Sequence, residues 1–283
     1  MSEFADIARA WRQYNQRGSW DGVNYGLIYT CNCGWVDLGH LNPNSARPEI
    51  GATNLWRAMR AEGPAVRRNA CDPRLQDKVM YGVAGSYLRA RMARCADDPY
   101  LRFADGATGF RLRYRQDHAG YTGRPGREGI FLVKHGLTET RARAVALSIF
   151  MDISHRFEQF QSSIPLRWMT DSGYSQEDLV SNLIGFYIGL GIVSKAQAIA
   201  ACHPVSQATA ENIWRQQGAV GANKNRSFSP QFQPTVMDDA VALMCRDDCA
   251  HQPRRFPAEF QTITPTPEGV DFLRLSSGSM IRF

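Results

Sequence analysis

Between Ser154 and Asn182 the chain reads SHRFEQFQSSIPLRWMTDSGYSQEDLVSN. Apolar residues recur at helical spacing before this stretch and run densely after it. A long helix therefore has to end here, turn through a loop holding Pro165 and Gly173, and restart. The first helix is predicted from Thr138, with Val145, Ile149, Ile153, Phe157 and Phe160 along its core stripe. At 100° per residue, Met151, His155 and Glu158 fall opposite that stripe and are expected to face water or a cleft. The second helix is expected to take Ser175 as N-cap with Asp178 three residues on, the acidic form of a capping box. Gly185 and Gly189, four apart in it, leave room for another backbone to approach. Most residues able to do chemistry collect here, with His155 and Glu158 on one side of the loop and Glu177 and Asp178 on the other.

Around this centre, a helix is predicted over Ser2–Gln16 and a strand over Tyr25–Cys31, followed by the tight segment CNCGWVDLGH and the loop NPNSARPE. Thr53 is expected to cap a short helix, and Gln76–Ala96 reads as another. Residues 97–137 change character: strand-like FRLRYR and GIFLVKH flank a Gly/Pro-rich turn, the pattern of a β-hairpin insertion. Further helices are expected at Lys195–Ala201, Gln207–Gln217 and Met237–Cys245, with a short strand at VDFLRL. Residues 218–283 form a C-terminal extension. No linker divides the chain, so the expectation is one mainly α (α+β) domain spanning 1–283 with a small β-hairpin element.

Composition narrows the function classes. A chain of 283 residues with 43% hydrophobic content buries a substantial core and does not read as disordered. The longest apolar run, Leu179 to Val193, contains Ser181, Asn182 and three glycines. It falls short of the roughly twenty apolar residues a bilayer span needs, so it reads as a buried helix and no stable membrane span is expected. The start, MSEFADIARAWRQYNQ, has the mixed charge of an amphipathic helix and no secretion-signal run, which predicts synthesis in the cytoplasm without a signal peptide. The net charge of +6 is spread over scattered arginines. That suits an anionic polymer better than nucleic acid, which calls for denser clustering, and no nucleic acid is expected as partner. Seven cysteines, an odd number, do not read as a disulfide scaffold, although one or two bridges are compatible with life outside the cytosol.

Several constellations offer chemistry. Glu158 with Glu177 or Asp178 supplies the carboxyl pair of a glycosidase, one group kept protonated by a dry pocket and the other across the sugar. A helix ending in a glutamate and followed by a loop with a second carboxylate is the arrangement of lysozyme-like folds, expected here around the central helix. The bland alternative is that Glu177 and Asp178 only complement a helix dipole. His155 and Glu158, with His40 as third donor, give a minority metal-site reading; the leading expectation is no cofactor. Cys31 with His40 offers a thiolate nucleophile. Cys245, Cys249 and His251 make half a zinc site or an oxidised bridge. Trp56, Arg57, Arg60, Tyr114, Arg115, Tyr121, Arg124 and Arg127 mix aromatic and basic groups as a sugar-polymer groove does.

Two segments, GLIYTCNCGWVDLGH at 26–40 and SGYSQEDLVSNLIGF at 172–186, resemble the signature segments of an uncharacterised bacterial domain-of-unknown-function family found largely in envelope lipoproteins. The resemblance covers roughly Tyr25–Phe186. It implies an envelope setting and a cleft in which Cys31, Asp37, His40, Glu158, Glu177, Asp178 and Asn182 meet. The chain departs from that pattern in having no signal or lipid-attachment cysteine at its start. Delivery by a type VI secretion system, as an antibacterial effector acting in a target bacterium's periplasm with a carrier and an immunity protein as partners, is the expectation that follows. The expected activity is cleavage of the peptidoglycan glycan strand, as a muramidase or lytic transglycosylase. Glu158 would be the general acid and Glu177 or Asp178 the second carboxylate, while His40, Asp37, Asn182, His155, Trp56 and Tyr174 hold substrate. The alternatives are a peptidoglycan amidase or endopeptidase using Cys31 and His40, and a non-enzymatic envelope-binding or membrane-perturbing toxin using Leu179–Val193.

Overall fold

Local chemistry sets most element ends in the computed structural model, which describes residues 2–62, 103–117, 126–162, 173–231, 249 and 254–280. Helix α1, Phe4–Arg17, starts at a capping box between Glu3 and Asp6 and stops at Gly18, whose φ of 66° is left-handed. Strands β1, Leu27–Thr30, and β2, Gly34–Asp37, pair antiparallel. Their turn is the CNC segment, closed by the Thr30 hydroxyl, which donates to the Gly34 carbonyl at 2.9 Å and accepts the Cys33 N–H at 3.1 Å. A second strand hidden in GWVD was not expected. Helix α2, Ala52–Arg60, follows Gly51 without a side-chain cap; Thr53 lies inside its first turn instead of capping it.

Strands β3, Gly109–Asp117, and β4, Gly126–Lys134, pair antiparallel. Four helices follow: α3, Glu139–Gln161; α4, Asp178–Gly189; α5, Lys195–Cys202; and α6, Gln207–Gln217. Ser194 and Ser206 cap α5 and α6 through the N–H groups of Gln197 and Thr209. Strand β5, Phe272–Met280, comes last. Helices and small antiparallel sheets make this an α+β fold. The helices expected at Gln76–Ala96 and Met237–Cys245 lie outside the described residues.

The chain divides into two compact units, residues 1–43 with 154–262 and residues 44–153 with 263–283, where the sequence reads as one domain. No composition shift marks the division, because one crossing, at Ile153/Ser154, falls inside α3.

In the first unit, Ile7 of α1, Leu27, Tyr29 and Cys31 of the first hairpin strand and its turn, Trp35 of β2 and Ile213 of α6 form one buried cluster. Leu179, Val180, Ile184, Phe186 and Tyr187 of α4 are buried as well, and Tyr187 meets Phe260 edge-on at 5.8 Å. Each such side chain stabilises the fold by about 1.5–3 kcal/mol. The run from Leu179 is thus committed to a core, and among the described residues no helix is long and apolar enough to cross a membrane. Gly185 does admit another backbone: a Cβ there would stand 2.8 Å from the His40 carbonyl and 3.2 Å from that of Leu41.

The second unit is built on the sheet β3-β4-β5, which takes the VDFLRL segment into its third strand. Val145, Ile149 and Ile153 of α3 are buried. Gly129 on β4 makes room for Ile153, whose Cδ1 would lie 2.9 Å from a Cβ there. Arg274 pairs with Asp152 at 2.6 Å, and Arg141 holds Asp271 with both Nε and Nη2, so β5 is tied to α3 at two points. Tyr114 and Arg115 are each 1% exposed, and Arg115 stands 3.5 Å from Asp117. They are interior residues and not the walls of a groove; Tyr121 and Arg124 lie outside the described residues. Trp56 lines a pocket of about 200 Å³ with Arg60, Glu62, Phe110 and Lys134.

Candidate active site

The first unit gathers Asp37, His40, Glu158, Glu177 and Asp178, brought together from three separate parts of the chain. Asp37 ends β2, and its N–H donates to the Ser181 hydroxyl of α4 at 3.0 Å. Its Oδ1 accepts from the Gly39 N–H at 2.6 Å and the His40 N–H at 3.4 Å, which turns the chain sharply after the strand. Gly185 then lets His40 pack against α4, and His40 Nδ1 comes to 3.8 Å from Asp178 Oδ1.

Helix α4 begins two residues later than expected. Asp178 is its first residue, and only the return half of the capping box is made, with the Ser175 N–H donating to Asp178 Oδ2 at 2.8 Å. Glu177 precedes the helix. Both carboxyls are turned inward, and the residues are 1% and 6% exposed. The dipole account alone does not explain that burial, since a capping carboxylate has no need to leave water.

Glu158 is the larger correction. It is fully buried, not solvent-facing, because the last turns of α3 are covered on the side opposite the apolar stripe by the Tyr174–Asp178 loop. Its Oε2 accepts the Tyr174 N–H at 3.0 Å, while its Oε1 is enclosed without an N–H donor. The Asp178 carboxyl lies within hydrogen-bonding reach of Glu158. Two carboxylates cannot bond unless one carries a proton, and the surroundings assign it to Asp178. Complete burial raises the Asp178 pKa well above its ordinary value, and the charges of Glu158, Glu177 and Asp37 push it the same way. Burial raises Glu158 too, but His40, the Tyr174 N–H and Lys224 work in favour of its charged form. Joined in this way, Glu158 and Asp178 leave no space for a sugar between them and cannot serve as opposite walls of a glycosidase site.

Glu177 is different. Burial, with a contribution from the Asp37 charge, pushes its pKa up to about 7. The Ser2 hydroxyl lies 2.9 Å from Glu177 Oε1 and 3.2 Å from Asp37 Oδ2. With one hydrogen to donate, Ser2 cannot satisfy two carboxylates; a protonated Glu177 donating to Ser2, which donates to Asp37, satisfies all three. Glu177 Oε2 is buried without a partner. Ser2 carried no signal in the sequence, nor did Lys224, whose loop bridges to Ser175.

Tyr174 takes a φ of 59°, a conformation that costs a bulky residue about 1–3 kcal/mol. Its hydroxyl donates to the His155 carbonyl at 3.0 Å. The His155 Nδ1, 3.1 Å from the same hydroxyl, is then the donor of that contact. Arg226 lies over the Tyr174 ring at 5.2 Å, and Phe228 meets the His155 ring edge-on at 5.7 Å. These two predicted substrate contacts buttress the cluster instead of opening from it. Asn182 sits half-buried on α4, and Trp56 belongs to the other unit.

Cys31 does not present a thiol, because its sulfur is bonded to that of Cys249. A disulfide sulfur has no S–H to ionise to the nucleophilic thiolate, so the Cys31–His40 pairing is not assembled. The same bond takes Cys249 out of the proposed zinc half-site, whose Cys245 and His251 lie outside the described residues. Among the described residues, no three His, Cys, Asp or Glu side chains stand in metal-ligating geometry.

The geometry is that of an acid–base cluster: one carboxyl pair sharing a proton out of reach, and a second pair, Glu177 and Asp37, linked through a hydroxyl. No protein-family model, curated protein or solved structure matches the chain.

Proposed function

We propose that the protein is a peptidoglycan-degrading enzyme that cleaves the glycan strand, with Glu177 as proton donor and Asp37 as the second carboxyl group. The observation that carries this proposal is the burial of Glu158, Glu177 and Asp178 beside the half-buried Asp37, with the Asp37 charge opposing ionisation of Glu177 and the charges of Glu158, Glu177 and Asp37 opposing that of Asp178. Such a cluster is expensive to fold around, and perturbed carboxyls of this kind concentrate at catalytic sites. A carboxyl group half-protonated near pH 7 is suited to donate a proton to a leaving glycosidic oxygen. What supports this reading is that α3 and the start of α4 both send carboxyl groups to one place. Substrate reaches Glu177 once the Ser2 segment moves aside. Glu158 and Asp178 hold the charge balance beneath.

The setting proposed is the periplasm of a target bacterium. The Cys31–Cys249 bridge fits an oxidising compartment, and the net charge of +6 fits an anionic glycan. The amidase alternative requires Cys31 to be reduced first, and the membrane-perturbing alternative requires α4 to leave its core, so neither is favoured.

The test is digestion of purified sacculi. Release of muropeptides with new reducing or anhydro-muramyl ends is expected, abolished by Glu177→Gln and Asp37→Asn. Intact sacculi, or cut stem peptides on uncut glycan, would remove the proposal.

A further inference from the structure

We propose that Cys33 and Cys202 form a second disulfide of the mature protein, clamping the β1–β2 turn to the end of α5 beside the Cys31–Cys249 bridge. The proposal is independent of the enzymatic function above. The two sulfurs lie 2.8 Å apart in the reduced pair, and both residues are buried. Their backbones are already held in register. The Cys31 N–H donates to the His203 carbonyl at 2.9 Å and the Asn32 N–H to the Cys202 carbonyl at 3.0 Å. The Asn32 side-chain amide reaches the Ala201 carbonyl at 3.1 Å, and Thr30 forms a β-bridge with Pro204. With the two backbones held beside each other, the sulfurs have only to close from 2.8 Å to bonding distance, about 2.05 Å.

A zinc site would need two further ligands, and among the described residues none converge. A catalytic redox pair would need an exposed thiolate of low pKa, whereas burial and the neighbouring Cys33 hold the Cys202 thiol protonated. The remaining role is structural. Two S–H bonds break and one S–S bond forms; the two electrons and two protons pass to a disulfide oxidant, such as glutathione disulfide or an oxidised thiol–disulfide oxidoreductase, which becomes two thiols. Because the folded pair is sealed, the exchange takes place while the turn is still open during folding. The linkage joins positions 169 residues apart, so it restricts the unfolded chain strongly.

The experiment is to refold the reduced, denatured full chain in a glutathione redox buffer, alkylate remaining thiols, digest without reduction and map the linked peptides. A Cys33–Cys202 peptide pair is expected. Relative to Cys202→Ser or Cys33→Ser refolded in the same way, the unfolding midpoint should rise by roughly 5 °C. Recovery of Cys33 and Cys202 as alkylated thiols, or linked to other cysteines, overturns the proposal whatever the state of Cys31 and Cys249. The peptide map on the unaltered chain decides the question even where a serine variant fails to fold.

Discussion

The Tyr174 amide donates to Glu158 Oε2 over 3.0 Å, and it can do so because Tyr174 holds a φ of 59°. The strained residue and the buried carboxylate are thus one device: the backbone conformation supplies the hydrogen bond that keeps charge on Glu158, and Glu158 in turn accepts the proton shared by Asp178.

Exchanging Asp178 for Asn keeps the shape and supplies a donor toward Glu158 without a titrating proton. Asp178→Asn should therefore unfold within about 1 kcal/mol of the unaltered protein, or be more stable above neutral pH. Glu158→Ala leaves the Tyr174 N–H without its acceptor and opens a cavity, and should cost roughly 3 kcal/mol or more. Urea unfolding at pH 7 compares the two, and equal losses would break the assignment of the shared proton.

Glu177 makes stability depend on pH. Its value rises from 4.5 to about 7 on folding, so between those values the folded chain binds more protons than the unfolded one. The contribution is whole below pH 4.5, shrinks as pH rises and is gone well above 7, and amounts to about 3 kcal/mol. Glu158 and Asp178, also raised, act with the same sign. Unfolding free energy followed across this window should fall with pH, and Glu177→Gln should flatten the slope.

Gly185 should tolerate no side chain. A Cβ there meets the His40 and Leu41 carbonyls, which are backbone and cannot swing away. Gly185→Ala is expected to lose about 2 kcal/mol of stability and, on the proposed function, to lower activity further by displacing His40. Muropeptide release measured against the fraction folded separates the two effects.

Gly173→Ala is a parallel case in the loop itself. Its Cβ would fall 2.5 Å from the Ser162 N and 2.7 Å from the Glu158 carbonyl, forcing the loop away from α3. A loss of roughly 2–3 kcal/mol is expected, together with faster amide exchange at Tyr174 as its bond to Glu158 opens.

Breaking the established bridge with Cys249→Ser frees positions 218 residues apart and should cost about 3–5 kcal/mol by unfolded-chain entropy. With both samples in reductant, this variant and the unaltered protein should give matching midpoints, and without reductant the variant should melt lower.

Helix α6 is legible because Ser206 caps it and its apolar positions repeat on one face; α5 is legible from its Ser194 cap and its run of alanines. The role of Glu158 is not. Ser154, Phe157, Glu158 and Gln161 are buried at the spacing of a second helical stripe, but three of the four are polar, so hydrophobic periodicity passes over them. Placing Glu158 opposite the apolar stripe is geometrically sound; that side faces neither open water nor an open cleft, because the Tyr174–Asp178 loop covers it. The partner of Cys31 could not be read because spacing does not determine disulfide connectivity. Strand β2 escaped notice because GWVD is too short to show alternation, and only the left-handed Gly34 marks the turn before it.

The division of the chain has a consequence for biosynthesis. The first unit opens with residues 1–43 and is completed only by 154–262, so Asp37 and His40 leave the ribosome seconds before Glu158 and Asp178 at ordinary elongation rates. No acid–base cluster exists on the nascent chain. Cys31 and Cys33 likewise emerge together, while Cys202 and Cys249 are still to be made. On the nascent chain the first unit therefore has neither its acid–base cluster nor its Cys31–Cys249 bridge until the segment from 154 onward has been made.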